Sequence, residues 1–407
     1  MESFEVDEAD CTACFSNFFD DEEFTLTFLA VTSDICNHFR STMSLQSIRN
    51  RSGKIRRRSL LSPRSSAFMQ LYNGGQDDAL ITMTGLNYST FHELLAIFSP
   101  IFHEYTPHVN SGCNISHLPY RRFRRGRRRT IDAIIALSLV LVWTRTHGTY
   151  ASLQVIFGMT ASNISKWLRF SKRILLLALM GVPEAKIQMP SLQQVRLFQE
   201  VIRARYPTLT HVWGAMDGLK VTIHKPTDDI MQSHFYNGWT HGHYIANLFL
   251  FTPDGHIRAA YLNSPGTTHD STMATMSRIY NQIDDVFYSM EGTAKVVVDS
   301  AFAAEDRPSL VKSFSNNVRR DGQPRQPHRL NNDATSVRQM AEWGMRGFQS
   351  SFPRLKEKIL YEERGERKIM LNLMVLLYNF RVAKVGQNQI QSVYMPFLSR
   401  DAQEMIN

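Results

Sequence analysis

Apolar residues recur at helical spacing through the first half of the chain and switch to strand spacing near His211. Over residues 85–105, Phe91, Leu94, Leu95, Ile97 and Phe98 form one stripe, which predicts a helix capped by Ser89 or Thr90. Further helices are predicted over 130–144, 150–157, 161–180 and 192–206, so that 130–206 reads as a small all-helical unit. From about His211 the texture is that of strands, at 212–223, 244–251 and 256–262. Pro253-Asp254-Gly255 lies between two of these apolar runs and signals a hairpin. A helix near 270–283, a strand at 295–298, a polar stretch at 319–333, a helix from Thr335 and a last apolar helix at 369–380 complete the pattern. No internal repeat is visible.

The full length of 407 residues suits two or three domains. The expected division is an acidic then Ser/Arg-rich tail without fixed structure (1–75), a helical DNA-binding region (76–206), an α/β domain (207–385) and a C-terminal tail (386–407). High charge with few apolar anchors is the reason for reading 1–75 as disordered. The longest apolar runs, 133–143 and 174–180, are too short to span a membrane and read as buried helices. The N-terminus lacks the positive start and apolar core of a secretory leader.

Charge sharpens the picture. The net charge of +9 favours a polyanionic partner, and it is segregated. The first 23 residues carry nine acids and no Lys or Arg, whereas 121–129 holds Arg121, Arg122, Arg124, Arg125, Arg127, Arg128 and Arg129. Such a run is expected to bind phosphate, to act as a nuclear import signal, or both; the alternative is a solvated linker. Four cysteines suggest no disulfide framework and a reducing compartment. Cys11 and Cys14 with Cys36 and His38 have poor spacing for zinc. His234, His241 and His243, around Tyr236-Asn237-Gly238-Trp239, read as packing or DNA-contacting residues rather than a zinc site.

Three acids stand where metal-dependent phosphoryl transfer would need them. Asp217 and Asp299 each end an apolar strand, where acids line sites in α/β sheets, and Glu342 lies on the helix from Thr335. Two strand acids and a helical Glu can hold a pair of Mg²⁺ ions, which bind few carboxylates and keep places for water and phosphate. The bland alternatives are a turn at Asp217-Gly218 and a helix cap at Asp299-Ser300. The order strand, hairpin, helix, strand, long connection, helix is that of an RNase H-like fold, in which the first strand and the strand after the hairpin and helix lie side by side. The remaining acids, among them Asp284, Glu357 and Glu366, read as solvated charges. In the helical unit, Leu153, Phe157, Gly158, Thr160, Ile164, Trp167 and Leu168 fit helix-turn-helix spacing at about 150–180. Asn163, Lys166 and Arg169 would then face DNA.

Gly214-Ala-Met-Asp217-Gly218, Tyr236-Asn-Gly-Trp239, Asn263-Ser-Pro-Gly-Thr-Thr-His269-Asp270 and Val298-Asp299-Ser300 resemble, in order, blocks of the PIF/Harbinger-type DDE transposases. Ala341-Glu342-Trp-Gly344 with Phe352-Pro-Arg354-Leu355-Lys356 resembles that family's last acidic block but departs from its commoner wording. The resemblance covers about residues 85–385. It implies an RNase H-like catalytic domain with a mixed central sheet flanked by helices, preceded by an all-α helix-turn-helix domain. It implies catalysis by Asp217, Asp299 and Glu342, with two Mg²⁺ or Mn²⁺ ions held by these and Asp270. Asp270 reads either as a metal neighbour or as the N-cap of the helix through Met273 and Met276. The implied activity is cleavage and strand transfer at terminal inverted repeats, in the nucleus, by a homo-oligomer on DNA with a Myb/SANT-like accessory protein. Two other readings stand beside it: a domesticated, non-catalytic DNA- or chromatin-binding protein, and an RNase H-like nuclease acting on RNA.

Overall fold

The computed structural model describes residues 55–107, 120–121, 129–146, 149–238, 240–302, 307–313, 328–360, 364–386 and 388–397. The acidic start, all four cysteines and most of the Arg run lie outside the described residues. The chain divides into two units, Leu60–His108 with His117–Asn407, and Met1–Ser59 with Val109–Ser116. In the smaller unit the regular structure among the described residues is one 3-10 turn, Arg57–Ser59. All other elements belong to the larger unit.

That unit opens with α1 (Ala67–Asn73), capped by the Ser66 hydroxyl, which accepts from Met69 N–H. Phe68 and Tyr72 are buried, and Phe68 stacks on Phe157 at 5.2 Å. Order therefore extends below residue 75, because two aromatics in seven residues supply the anchors that the charged stretch before them lacks. Next come α2 (Asp77–Thr84) and α3 (Tyr88–Glu104). The cap of α3 is Asn87, whose side chain accepts from Thr90 N–H at 2.8 Å, and not Ser89 or Thr90. Two short strands, β1 (Tyr105–Thr106) and β2 (Tyr120–Arg121), pair antiparallel. They lead to α4 (Ala133–Arg145), which Asp132 caps and which is buried along nearly its whole length. Helix α5 (Tyr150–Phe157) ends at Gly158, left-handed at φ 62°, and α6 (Ala161–Met180) follows. Helix α7 (Leu192–Arg205) starts with a Ser191/Gln194 capping box.

The second half builds a mixed sheet from β3 (Val212–Thr222), β4 (Tyr236–Asn237), β5 (Gly242–Phe251), β6 (Ile257–Pro265), β7 (Lys295–Asp299) and β8 (Leu310–Ser313). Its order is β6-β5-β3-β7-β8, with β4 also paired to β5. Strand β3 is antiparallel to β5 and parallel to β7, so the first strand does lie beside the strand that follows the hairpin and helix. The helices are α8 (Asp229–Phe235), α9 (Asp270–Met276), α10 (Ile279–Ser289), α11 (His328–Ser351), α12 (Arg364–Val385) and α13 (Gln389–Tyr394). The one helix expected near 270–283 is broken in two. Arg278 is left-handed at φ 57°, and its N–H donates back to the Thr275 carbonyl. The β5–β6 hairpin turns at Pro253-Asp254-Gly255, where the buried Asp254 carboxylate accepts from Thr252 Oγ1 at 2.5 Å and pairs with Arg258. Burial pushes that carboxyl up, but Arg258 and His256 outweigh it and hold it far below the usual range.

Alternation along the strands sorts the core into two faces. Ala246, Leu248 and Leu250 of β5 join Val296 and Val298 of β7 in one buried cluster, with Met273 of α9 and Ile283 of α10. Phe249, Phe251 and Val297 point the other way, into a cluster with Val337 and Met340 of α11 and the helices of the first half. That cluster runs without a break from Phe68 to Tyr394, so the hydrophobic core is continuous across residues 206–207. An ion group also crosses it. Glu366 of α12 accepts from Lys172 of α6 at 3.0 Å and pairs with Arg173. Glu366 is mostly buried rather than part of an exposed charged face. Burial raises its carboxyl, and the charges of Lys172 and Arg173 more than reverse that.

Candidate active site

In the parallel β3–β7 pair, Met216 is the register partner of Val298, so one step further Asp217 and Asp299 occupy corresponding positions at the ends of their ladder. Both follow a residue of the α9–α10 face and so point to the α11 face. Apolar runs make these strands because Val296, Val297 and Val298 suit a buried pleat. The acids sit where the run stops. Asp217 Oδ1 accepts from Gly218 N–H at 2.8 Å, and Asp299 Oδ1 accepts from Ser300 N–H at 2.7 Å. The Asp299-Ser300 link is thus a local turn at the strand end, and Asp217-Gly218 is continuous strand rather than a turn.

Helix α11 packs its Val337, Met340 and Ala341 stripe on the same face of the sheet. This brings Arg338 and Glu342, one turn apart, over Asp217. The Arg338 guanidinium lies 3.7 Å from Asp217 Oδ2 and 3.0 Å from Glu342 Oε1. A single cation thus links the first and third expected acids. Sequence patterning does not select Arg338, although an Arg one helical turn before a functional Glu is the available signal.

Asp270 is not the N-cap. The N-cap of α9 is His269, with no side-chain cap bond, and Asp270 is the first helical residue. Its carboxylate lies against the Cα of Gly218, where a Cβ would come within 2.5–2.6 Å of it. Neighbouring residues of a strand point to opposite faces, so Asp270 meets β3 from the face opposite to the Asp217 side chain. Gly218 is what makes this approach sterically available.

The charges of the acids nevertheless reach one another. Asp217 is pushed up to about 6, first by burial and then by the charges of Asp270 and Asp299; the Gly218 N–H and Arg338 oppose the rise. Asp270 is also raised, by burial and by Asp299, against the pull of Lys220 and His269. Among the described residues, no three His, Cys, Asp or Glu side chains are gathered closely enough to hold one ion, the cluster at His234, His241 and His243 included. Arg338 lies between Glu342 and Asp217, and Asp270 stands across the strand.

The expected DNA-contacting residues fare unequally. On α6, Lys166 and Arg169 are exposed and Asn163 is half-buried, while Ile164, Trp167 and Leu168 are buried. Arg169 also lies 3.9 Å from Glu366. Arg129 turns inward instead of outward. Its guanidinium covers the Phe102 ring at 4.2 Å and donates to the carbonyls of His103 (3.3 Å) and Tyr105 at the end of α3. Arg122, Arg124, Arg125, Arg127 and Arg128 lie outside the described residues, as does the side chain of Arg121. Asp284, read as a solvated charge, accepts from Arg307 and Ser309, each at 2.5 Å.

Residues 216–379, which contain Asp217, Asp270, Asp299 and Glu342, match the family model of the DDE superfamily endonucleases. The match supports descent from a DDE transposase, and the mixed sheet flanked by helices is compatible with a DDE nuclease domain. No curated protein and no solved structure matches the chain. Among the described residues no helix is long and apolar enough to cross a membrane.

Proposed function

We propose that this protein is a metal-dependent DNA nuclease of the PIF/Harbinger transposase type, with an RNase H-like catalytic domain. The observation that carries the reading is the in-register pair Asp217 and Asp299 on the face covered by Arg338 and Glu342 of α11. Mg²⁺ binds through one or two carboxylates and substrate phosphate oxygens, and a half-buried, mutually repelling pair of acids suits that donor chemistry. Asp217 and Asp299 would hold Mg²⁺ or Mn²⁺, with Glu342 completing the set once its contact with Arg338 opens. Two such ions supply charge stabilisation for an in-line displacement at phosphorus. Asp270, from across β3, adds its charge to the burial that chiefly raises Asp217.

The chain's own groups divide the remaining work. The exposed Lys166 and Arg169, with Asn163, on the second helix of a helix-turn-helix would read base edges in terminal inverted repeats, and Arg121–Arg128 would hold phosphates. Strand transfer by freed 3′-hydroxyls, assembly on DNA as a homo-oligomer, a Myb/SANT-like accessory protein and nuclear residence complete the reading. The test is a nicking assay of the purified chain on DNA carrying the flanking repeat ends, with and without Mg²⁺. Asp217→Asn, Asp299→Asn and Glu342→Gln should each abolish Mg²⁺-dependent cutting and leave DNA binding nearly intact. A wild type that binds repeat ends but never cuts them with Mg²⁺ or Mn²⁺ would favour a domesticated binding protein.

A further inference from the structure

Beyond Asp217, β3 runs on to Thr222, and its far end meets three other segments at one exposed corner. At 3.3 Å per residue this corner lies about 17 Å from the acid. Ile223 bridges to Ile359, with His224 N–H donating to the Ile359 carbonyl at 2.9 Å and Ile359 N–H to Thr222 at 3.1 Å. The bridge joins the two segments that carry exposed Lys358 and exposed Lys225. From the other side, Ile223 N–H donates to the His243 carbonyl at 3.0 Å. Across the β4–β5 pair, Tyr236 faces His243, their rings 5.4 Å apart. Tyr236 is 39 % exposed, and its hydroxyl lies 3.4 Å from Nδ1 of His241, an exposed residue held left-handed at φ 50°. The pKa of His243 is lowered by burial and further by Lys225 and Lys358, which places both ammonium groups within electrostatic reach of that ring.

The corner is tied to the acids in two ways. Asn237 Nδ2 donates to the Gly266 carbonyl at 3.2 Å and Thr267 Oγ1 to the His234 carbonyl at 3.0 Å, which joins the β4 loop to the segment that ends in Asp270. Exposed Lys220 stands on β3 between the corner and Asp217, and its charge acts on Asp270. No ion pair among the described residues engages Lys220, Lys225 or Lys358.

An exposed aromatic ring flanked by imidazoles, with ammonium groups spaced along an extended edge, is the chemistry of a single-strand platform. A stacking ring needs the face of an unpaired base, which a duplex hides, and the lysines match a phosphate backbone. We infer that this corner binds single-stranded DNA, with Tyr236 stacking on an unpaired base and Lys225 and Lys358 on phosphates of a strand that leads to the carboxylates. The inference deepens the nuclease reading and rests on it for the direction of the strand.

The test uses the full chain without divalent metal and measures fluorescence anisotropy of a labelled single-stranded oligonucleotide and of the duplex of the same sequence. Tyr236→Ala should weaken single-strand binding about tenfold, with Tyr236→Phe close to wild type because the ring is kept. Duplex binding should change far less. Lys225→Gln with Lys358→Gln should flatten the salt dependence of single-strand affinity by roughly 1.4 in slope, about 0.7 for each phosphate that no longer meets a lysine. Wild-type single-strand affinity in Tyr236→Ala, or equal losses for single strand and duplex, overturns the inference. Should Tyr236→Ala fail to fold, the exposed lysine pair carries the same test, and an unchanged slope refutes it. A chain that shows these binding losses but never nicks DNA with Mg²⁺ keeps the surface and sinks the nuclease reading instead.

Discussion

Replacing Asp217 by Asn should stabilise the metal-free protein while it removes cutting. In the fold the carboxyl rises from its ordinary value near 3.8 to about 6, chiefly through burial. A rise of about 2 pKa units at about 1.4 kcal/mol each puts a penalty of about 3 kcal/mol on the ionised form. The sign follows from linkage. At pH 3 and below, both states hold the proton and the penalty is nearly absent. As pH climbs from about 4 to 6 the unfolded chain ionises first, so folding stability falls, and above pH 6 the loss is complete. Asn carries no charge to bury, but it loses the attraction of Arg338 at 3.7 Å. A net gain of about 1–2 kcal/mol at pH 7.5 is therefore expected, shrinking towards zero at pH 3. Chemical denaturation in EDTA at several pH values measures it directly. Adding Mg²⁺ should raise the wild type's stability more than the variant's, because the variant keeps Asp299 but has lost one of the carboxylates that attract the ion. A metal-free Asp217→Asn protein that is no more stable than wild type at pH 7.5, or a gain that does not shrink on acidification, would refute the reasoning.

Two further outcomes follow from the packing. Gly218→Ala places a Cβ 2.5 Å from the Asp270 carboxylate, so that group must retreat by about 1 Å, and misplacement on that scale lowers rates by up to about 10²-fold. Cleavage should fall while melting changes little, and adding Asp270→Asn should cost no more activity than Asp270→Asn alone. Additive losses would show that Gly218 acts otherwise. Glu366→Gln leaves Lys172 and Arg173 without their shared acid between α6 and α12, which should destabilise the fold by about 3–5 kcal/mol in denaturant titrations. A loss under 1 kcal/mol would mean that water already satisfies those cations.

Much of the fold is legible along the chain because its signals are local. Helix α5, the strands β3, β5 and β7 and the hairpin at Asp254-Gly255 stand close to where periodicity and turn chemistry put them. The adjacency of Asp217 and Asp299 also follows from element order, since a strand, a hairpin, a helix and a strand return the last strand to the side of the first. What the sequence could not express is which face each side chain meets. Glu366 reads as one more exposed acid among lysines, yet α6 crosses α12 there and gathers three cations around it. Arg129 reads as the last of a phosphate-binding run, yet the aromatic surface of Phe102 and open carbonyls at the end of α3 take it inward. Asp270 reads as a cap or a ligand, and only the missing Cβ of Gly218, on a strand many residues away, lets it lie against β3 from behind. Period and charge are written residue by residue, whereas the meeting of Arg338 with Asp217 and Glu342 depends on how a helix seats on a sheet, which the packed core alone decides.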